Sequence, residues 1–257
     1  MKRRDFLKLA GAASLAGCAT ATPAKARVVV IGGGYGGATA AKYIRLWDPA
    51  IDVVLVEREA GFVSCPISNL VIGGFTGMQD ISRGYDGLRR HGVTVVRDEA
   101  TAVDAAKKTV RLASGGELAY ERLVVSPGVD FMFGDVEGYE RAMQTGAVLH
   151  AWKAGPQTVA LRQKLEQMPD GGVYVLSIPL APYRCPPGPY ERVSMVAAYF
   201  KQAKPRAKVL VLDANPDVTS KGPLFKKVWA ERYAGMVEYR PQHKAVVACK
   251  LSRIAAI

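Results

Sequence analysis

The sequence contains no C-x-x-C pair and no C-x-x-C-H; its four cysteines stand far apart, at 18, 65, 185 and 249. That spacing argues against a zinc ribbon and against covalently attached haem on this chain, and no metal site is expected. Runs of Lys and Arg interleaved with aromatics are also missing, so nucleic acid is not an expected partner. The apolar stretch Leu9 to Gly17 is too short to span a bilayer as a helix.

What is present is enough apolar material, 49% of 257 residues, for one large core or two smaller domains. Lys2, Arg3 and Arg4 ahead of that short apolar stretch form a twin-arginine start, which predicts export to the periplasm by the route that carries folded, often cofactor-loaded proteins. Ala24-Lys25-Ala26 offers a cleavage site after residue 26, whereas Leu15-Ala16-Gly17-Cys18 resembles a lipobox. Cleavage to a soluble protein is the favoured expectation, with membrane contact only if Cys18 is lipidated. Residues 1–26 hold five basic residues and one acid, which reduces the formal net charge from +12 to +8 for the remainder. That excess either steers an anionic substrate or acidic partner or simply solvates a basic surface.

The segment "ARVVVIGGGYGGATAAKYIRLWDPAIDVVLVERE" reads as strand, glycine turn, helix, strand. Arg27 to Ile31 and Asp52 to Val56 are continuous apolar runs, as parallel strands buried on both faces should be. Ala38 to Leu46 has helical periodicity and stops before Asp48-Pro49. Residues 93 to 129 show period-two alternation around Gly115-Gly116, a meander or hairpin, before the strand Leu123 to Val125 and Ser126-Pro127-Gly128. A second α/β unit follows: helix Thr158 to Gln167, strand Val173 to Ile178, helix Glu191 to Lys201 and strand Lys208 to Leu212. The expected fold class is α/β, with two Rossmann-like dinucleotide-binding units.

Gly32-x-Gly34-x-x-Gly37 falls at the first strand-to-helix turn. The first glycine permits the tight turn, the second a close approach to a pyrophosphate, and the third close helix packing, while the helix N-terminus offers free N–H groups. Glu57 ends the second strand 20 residues after Gly37, where a carboxylate can accept hydrogen bonds from ribose hydroxyls. An adenine dinucleotide is therefore expected, and the hairpin insertion ahead of Gly128 favours FAD over NAD by analogy of fold. Arg58 and Gly128 complete the expected cofactor-binding set.

Cys65 follows the second strand, on a loop that can reach a bound ligand in this kind of fold. It is either redox-active, bonded to the cofactor ring, or simply a small buried residue. Cys185 occupies the corresponding place after Val173 to Ile178. There "SIPLAPYRCPPGPYER" has only Gly188 in place of a glycine box, and Pro179, Pro182, Pro186 and Pro187 withhold backbone N–H donors. The second unit thus reads as a nicotinamide domain without a nicotinamide site, with a thiol where the hydride donor would sit. A reduced sulfur species is then the natural electron donor, because it reacts at sulfur. Glu191 is either a nearby proton acceptor or an ordinary first-turn acid.

The twin-arginine start, Gly32-Gly33-Gly34-Tyr35-Gly36-Gly37, Ser64-Cys65-Pro66-x-Ser68-Asn69-x-Val71-Ile72-Gly73-Gly74 and Tyr183-Arg184-Cys185-Pro186-Pro187-Gly188-Pro189-Tyr190-Glu191-Arg192 together resemble the flavoprotein subunit of flavocytochrome c sulfide dehydrogenase. The resemblance implies that Cys65 is bonded through sulfur to the flavin 8α-methyl and that Cys185 is half of a redox disulfide. It further implies that Glu191 assists proton transfer. Sulfide would attack the disulfide, and electrons would pass to FAD and on to the haem of a separate c-type cytochrome subunit.

The expected division is residues 1–26 as the signal, 27–150 as the FAD domain and 151–240 as the second, degenerate NAD-type Rossmann-like domain. Residues 241–257 do not follow the family pattern, and the expectation is an aberrant or truncated tail, a missing C-terminal part and impaired activity. The second cysteine of the redox pair would lie beyond the present end, and Cys249 does not stand in the family's motif. Competing expectations are a sulfide:quinone oxidoreductase and a non-catalytic FAD-binding or sulfur-carrier subunit.

Overall fold

The structure, a computed structural model, describes residues 26–246 and the backbone of residues 255–256. The export signal, Cys18 and Cys249 lie outside the described residues. The chain forms two compact units, one built from residues 26–60 and 85–128 and the other from 61–84 and 129 onward.

In the first unit four parallel strands run in the order Thr94–Val96, Ile51–Val56, Ala26–Ile31, Arg122–Val125. Ala26–Ile31 is central because Val28, Val29 and Val30 are covered from both faces, and branched side chains suit that doubly buried position. Helix Tyr35–Trp47 returns the chain to the neighbouring strand and stops at Asp48, before Pro49. The next strands lie to one side of Ala26–Ile31 and the last to the other. The order therefore reverses at the carboxyl end of this strand, where an open α/β sheet binds its ligand. The predicted hairpin is a three-stranded antiparallel sheet, Ala100–Asp104, Thr109–Leu112 and Glu117–Ala119. It contributes Val110 and Leu112 to one core with Val29, Val54 and Val56.

The second unit has a parallel sheet in the order Val148–Leu149, Ala255–Ala256, Val173–Ile178, Lys208–Asp213, Val237–Arg240. Its core is filled by Tyr174, Leu176 and Ile178 from the sheet and by Tyr190, Val193, Val196 and Phe200 from helix Gly188–Ala203. The division differs from the boundary read off the sequence. Segments 61–84 and 129–150 pack here, because Ile72 of the short helix Ser68–Gly73 and Leu149 are buried in this second core. Helix Gly188–Ala203 also starts earlier than its periodicity predicts. Pro189 fits in its first turn, where a missing N–H breaks no helical hydrogen bond.

Candidate functional site

The glycine turn of the first unit has the backbone geometry the motif requires. Gly32 lies at φ +92° and its N–H reaches Val56 O at 2.9 Å. A Cβ on Gly37 would stand 1.8 Å from Gly32 O, so only glycine lets the helix come this close to the turn. Glu57 Oε2 accepts the Gly33 N–H at 2.6 Å, and Oε1 accepts the Glu59 N–H at 2.8 Å. Each carboxylate oxygen keeps a second lone pair, so the group can still receive a ribose hydroxyl. These residues fit an adenine dinucleotide: the turn and helix start for its pyrophosphate, Glu57 for its ribose. Arg58 is exposed and pairs with Glu99 at 3.4 Å and Glu59 at 3.7 Å. Gly128 is exposed at φ +83°, with open space where a Cβ would go.

Cys65 and Cys185 meet in the second unit. Both are free thiols, the first half-buried and the second exposed. Cys65 follows the short strand Gly61–Val63, and its Sγ–H points to Trp152 O at 3.0 Å. The Ser68 N–H and hydroxyl both donate to Cys65 O, at 3.0 and 2.7 Å, which closes the turn and starts helix Ser68–Gly73. Cys185 sits at φ +58°, the left-handed region that non-glycine residues avoid at a cost of about 1 kcal/mol or more. Its carbonyl accepts the Gly188 N–H at 2.9 Å, and a Cβ on Gly188 would come within 3.1 Å of Cys185 Sγ. Gly188, the one glycine of a stretch that lacks the glycine box, is what leaves room for the thiol.

Two buried polar side chains tie the loops together. Asn69 Nδ2 donates to Gly188 O at 3.1 Å, and Asn69 Oδ1 accepts from Arg192 Nε at 3.2 Å. Arg192 Nη2 donates to Ala151 O at 3.0 Å. Around these bonds lies a cavity of about 40 Å³ lined by Cys65, Ser68, Asn69, Trp152, Cys185 and Arg192, among others. Arg192 is 3% exposed and makes no ion pair among the described residues. Burial pulls its guanidinium below the ordinary arginine range, while Tyr174, then the Cys65 and Cys185 thiols, then the Glu191 carboxylate pull the other way. Glu191 stands in the first turn of the helix but is not part of the cavity lining.

The position of a second nucleotide site is filled by protein. Asp213 ends strand Lys208–Asp213, where a Rossmann unit presents the carboxylate that meets the ribose. Here it is 0% exposed. Its Oδ2 accepts the hydroxyls of Tyr190 at 2.8 Å and Tyr239 at 2.9 Å, and its Oδ1 accepts the Asn215 backbone N–H at 2.9 Å and Nδ2 at 2.7 Å. Four protein donors leave no place for a ribose. Burial, with the carboxylate beside them, pushes both phenols far above their ordinary values, so both remain donors.

Residues 26–166 match the family model for pyridine nucleotide-disulphide oxidoreductases. Residues 158–255 match the model for the central part of the sulfide dehydrogenase [flavocytochrome c] flavoprotein chain. The chain is 62% identical over 45 residues to the sulfide dehydrogenase [flavocytochrome c] flavoprotein chain of Chlorobaculum thiosulfatiphilum, covering 18% of this chain and 94% of that one. The chain belongs to this flavoprotein family.

The match to the central model takes in residues 244–255, within the stretch that the sequence reading set apart from the family. More distantly, the chain is 25% identical over 203 residues to the mitochondrial sulfide:quinone oxidoreductase of Dictyostelium discoideum, which is 78% of this chain and 44% of that one. The sulfide:quinone oxidoreductase structure from Aquifex aeolicus superposes with a TM-score of 0.75 at 19% identity, covering 90% of this chain and 58% of that one. It shows the same fold. The chain thus spans about half the length of these two longer relatives.

Within the flavoprotein's second unit, sequence reasoning reached both cysteines but missed Arg192, Asn69 and Asp213. Asp213 had an available signal, an acid ending the strand that follows a strand–turn–helix. Arg192 and Asn69 lie 123 positions apart, and only the fold brings them together.

Proposed function

We propose that the chain is the FAD-binding, sulfide-oxidising part of a sulfide:cytochrome c oxidoreductase, with Cys185 as the sulfur that receives the donor. The observation that carries this reading is the pairing of a reachable thiol cavity with a nucleotide position closed by Tyr190, Tyr239 and Asn215. A unit so built takes its electrons at sulfur rather than from a dihydronicotinamide.

Gly32, Gly34 and Gly37 with the helix start at Tyr35 would hold the FAD pyrophosphate, and Glu57 its ribose. When bound, FAD supplies a two-electron acceptor that can release electrons singly to a haem. In this reading Cys185 forms a disulfide with a second cysteine, and hydrosulfide attacks it. The S–S bond breaks, sulfur remains on one cysteine as a persulfide, and the electron pair departs with the other cysteine as its thiolate. Trp152 O orients the free Cys65 thiol, and the proposal makes this sulfur the covalent anchor for the cofactor, a bond that replaces the S–H and its hydrogen bond. Glu191, in the first turn of the helix that follows Cys185, is assigned the proton from the attacking hydrosulfide. Export to the periplasm and a c-type cytochrome subunit complete the proposal, supported by the twin-arginine start and by the family.

The test is an anaerobic titration of the flavin-loaded protein with its Cys185 disulfide formed, read by loss of flavin absorbance. Sulfide should bleach the flavin and NADH should not. Bleaching by NADH with none by sulfide would remove the reading. Re-oxidation by cytochrome c against re-oxidation by a soluble quinone then separates the two acceptors.

A further inference from the structure

Arg192 carries a positive charge into a cavity that contains no carboxylate. We infer that this cavity is a binding site for a small anion, and that Arg192 is the residue that selects it. Hydrosulfide is the anion that suits the adjoining thiols. Only that choice of ligand rests on the sulfide-oxidation reading; the anion site itself does not.

Three observations converge on it. Taking a guanidinium almost fully out of water is costly unless a counter-charge compensates it, and Arg192, 3% exposed, makes no ion pair among the described residues: it hydrogen-bonds the neutral oxygens of Asn69 and Ala151 and lies 6.0 Å from the Trp152 ring centre. Those two bonds engage Nε and Nη2, and they fix the planar group rather than neutralise it. Second, the backbone cannot hold the anion in the way an ordinary dinucleotide turn does. Pro187 and Pro189 have no N–H, and the Gly188 N–H is already given to Cys185 O. The positive charge that a helix N-terminus normally offers through its amides is here supplied by one side chain of that same helix. Third, the size is right. The cavity holds about 40 Å³, where about 10–15 Å³ is enough to admit one water molecule. A monoanion of a few heavy atoms fits.

Arg192 is therefore a specificity-determining residue rather than only a brace. A neutral hydrogen-bonding residue could tie Asn69 to Ala151 as well. A charge is needed only if what enters is charged. Arg184 also lines the cavity but is exposed, so its field is screened by solvent.

Charge preference at Cys185 tests this on the full chain, with or without bound cofactor. Alkylation by iodoacetate, an anion, is compared with alkylation by neutral iodoacetamide. Each rate is measured by mass spectrometry of the Cys185 peptide and divided by the rate with glutathione. The expected ratio favours iodoacetate by about tenfold, the size of one nearby charge in a partly screened site. Arg192→Lys should keep much of the preference and Arg192→Met should bring the ratio to about one. In the unsubstituted chain, thiocyanate should slow iodoacetate and leave iodoacetamide unaffected, a result that needs no variant to fold.

The inference is overturned by a ratio near one in the native chain or by thiocyanate having no selective effect. It is equally overturned by a preference that survives in Arg192→Met but disappears in Arg184→Gln. If sulfide fails to bleach the flavin while the charge preference persists, the anion site stands and the sulfide reading falls. If sulfide bleaches the flavin and no preference is found, only the anion site falls.

Discussion

Tyr190 donates its hydroxyl hydrogen to Asp213 Oδ2 across 2.8 Å, inside a core where Asp213 has no contact with solvent. The pair turns a carboxylate that could read a ribose into a structural anchor between helix Gly188–Ala203 and strand Lys208–Asp213. Because the helix start carries Arg192 and its Gly188 N–H holds Cys185 O, the same anchor holds the thiol cavity in place.

Replacing Asp213 by Ala should therefore destabilise the fold without creating a nucleotide site. Four donors lose their acceptor in a dry environment, for which a loss of about 3 kcal/mol is expected. Tyr190→Phe removes one donor and should cost about 1 kcal/mol. Urea unfolding followed by circular dichroism gives both values, and NADH titration of either variant should show no binding.

Two glycines should behave in opposite ways. Gly37→Ala forces a methyl to within 1.8 Å of Gly32 O, so loss of FAD retention and a stability loss of about 3 kcal/mol or more are expected. Gly128→Ala meets open space and bears only the left-handed backbone at φ +83°, about 1 kcal/mol. Differential scanning fluorimetry and flavin content after gel filtration separate the cases. A harmless Gly37→Ala would remove that glycine from the cofactor turn.

The two cysteines should separate cofactor attachment from electron entry. Cys65→Ser should release flavin on acid precipitation, where the unsubstituted protein keeps it. Cys185→Ser should retain flavin and lose its reduction by sulfide. Flavin that stays with acid-precipitated Cys65→Ser protein would place the attachment elsewhere.

His150 gives the second unit a pH dependence. Its ring is buried against Phe131 at 4.4 Å between centroids, and Nδ1 has no hydrogen-bond partner. Burial first, then the Lys153 and Arg192 charges, lower its pKa to about 4. The unfolded chain takes up a proton near the ordinary value of 6.5 while the folded chain does not. Stability is thus complete above about pH 6.5 and falls as pH drops toward 4. The urea midpoint should decline over that window, and His150→Leu should flatten the decline. An equally steep profile in the variant would assign the dependence to other groups.

Much of this architecture was legible because its signals are local. Val28 to Val30 and Val173 to Ile178 are apolar runs that only a doubly covered strand can use, and Gly32 to Gly37 with Glu57 form a motif whose members are close in sequence. The cysteine loops were legible by their place after strands. The grouping of residues 61–84 with the second unit was not, since it depends on where Ile72 is buried. Arg192 was hidden for a related reason. In a helix of mixed composition an arginine reads as a solvated residue, and its burial depends on Asn69 and Ala151, both distant along the chain.

Cys185 has a further consequence through its backbone. A residue held at φ +58° occupies a conformation that glycine or asparagine would accept more readily. Any search for more robust variants, by random mutation or by selection on thermal survival alone, should therefore be drawn to position 185 early. The gain from Cys185→Gly or Cys185→Asn would come with the loss of the reactive sulfur. Under the proposed function, heat resistance and turnover are set against each other at this one residue, and a screen for the first must be scored for the second.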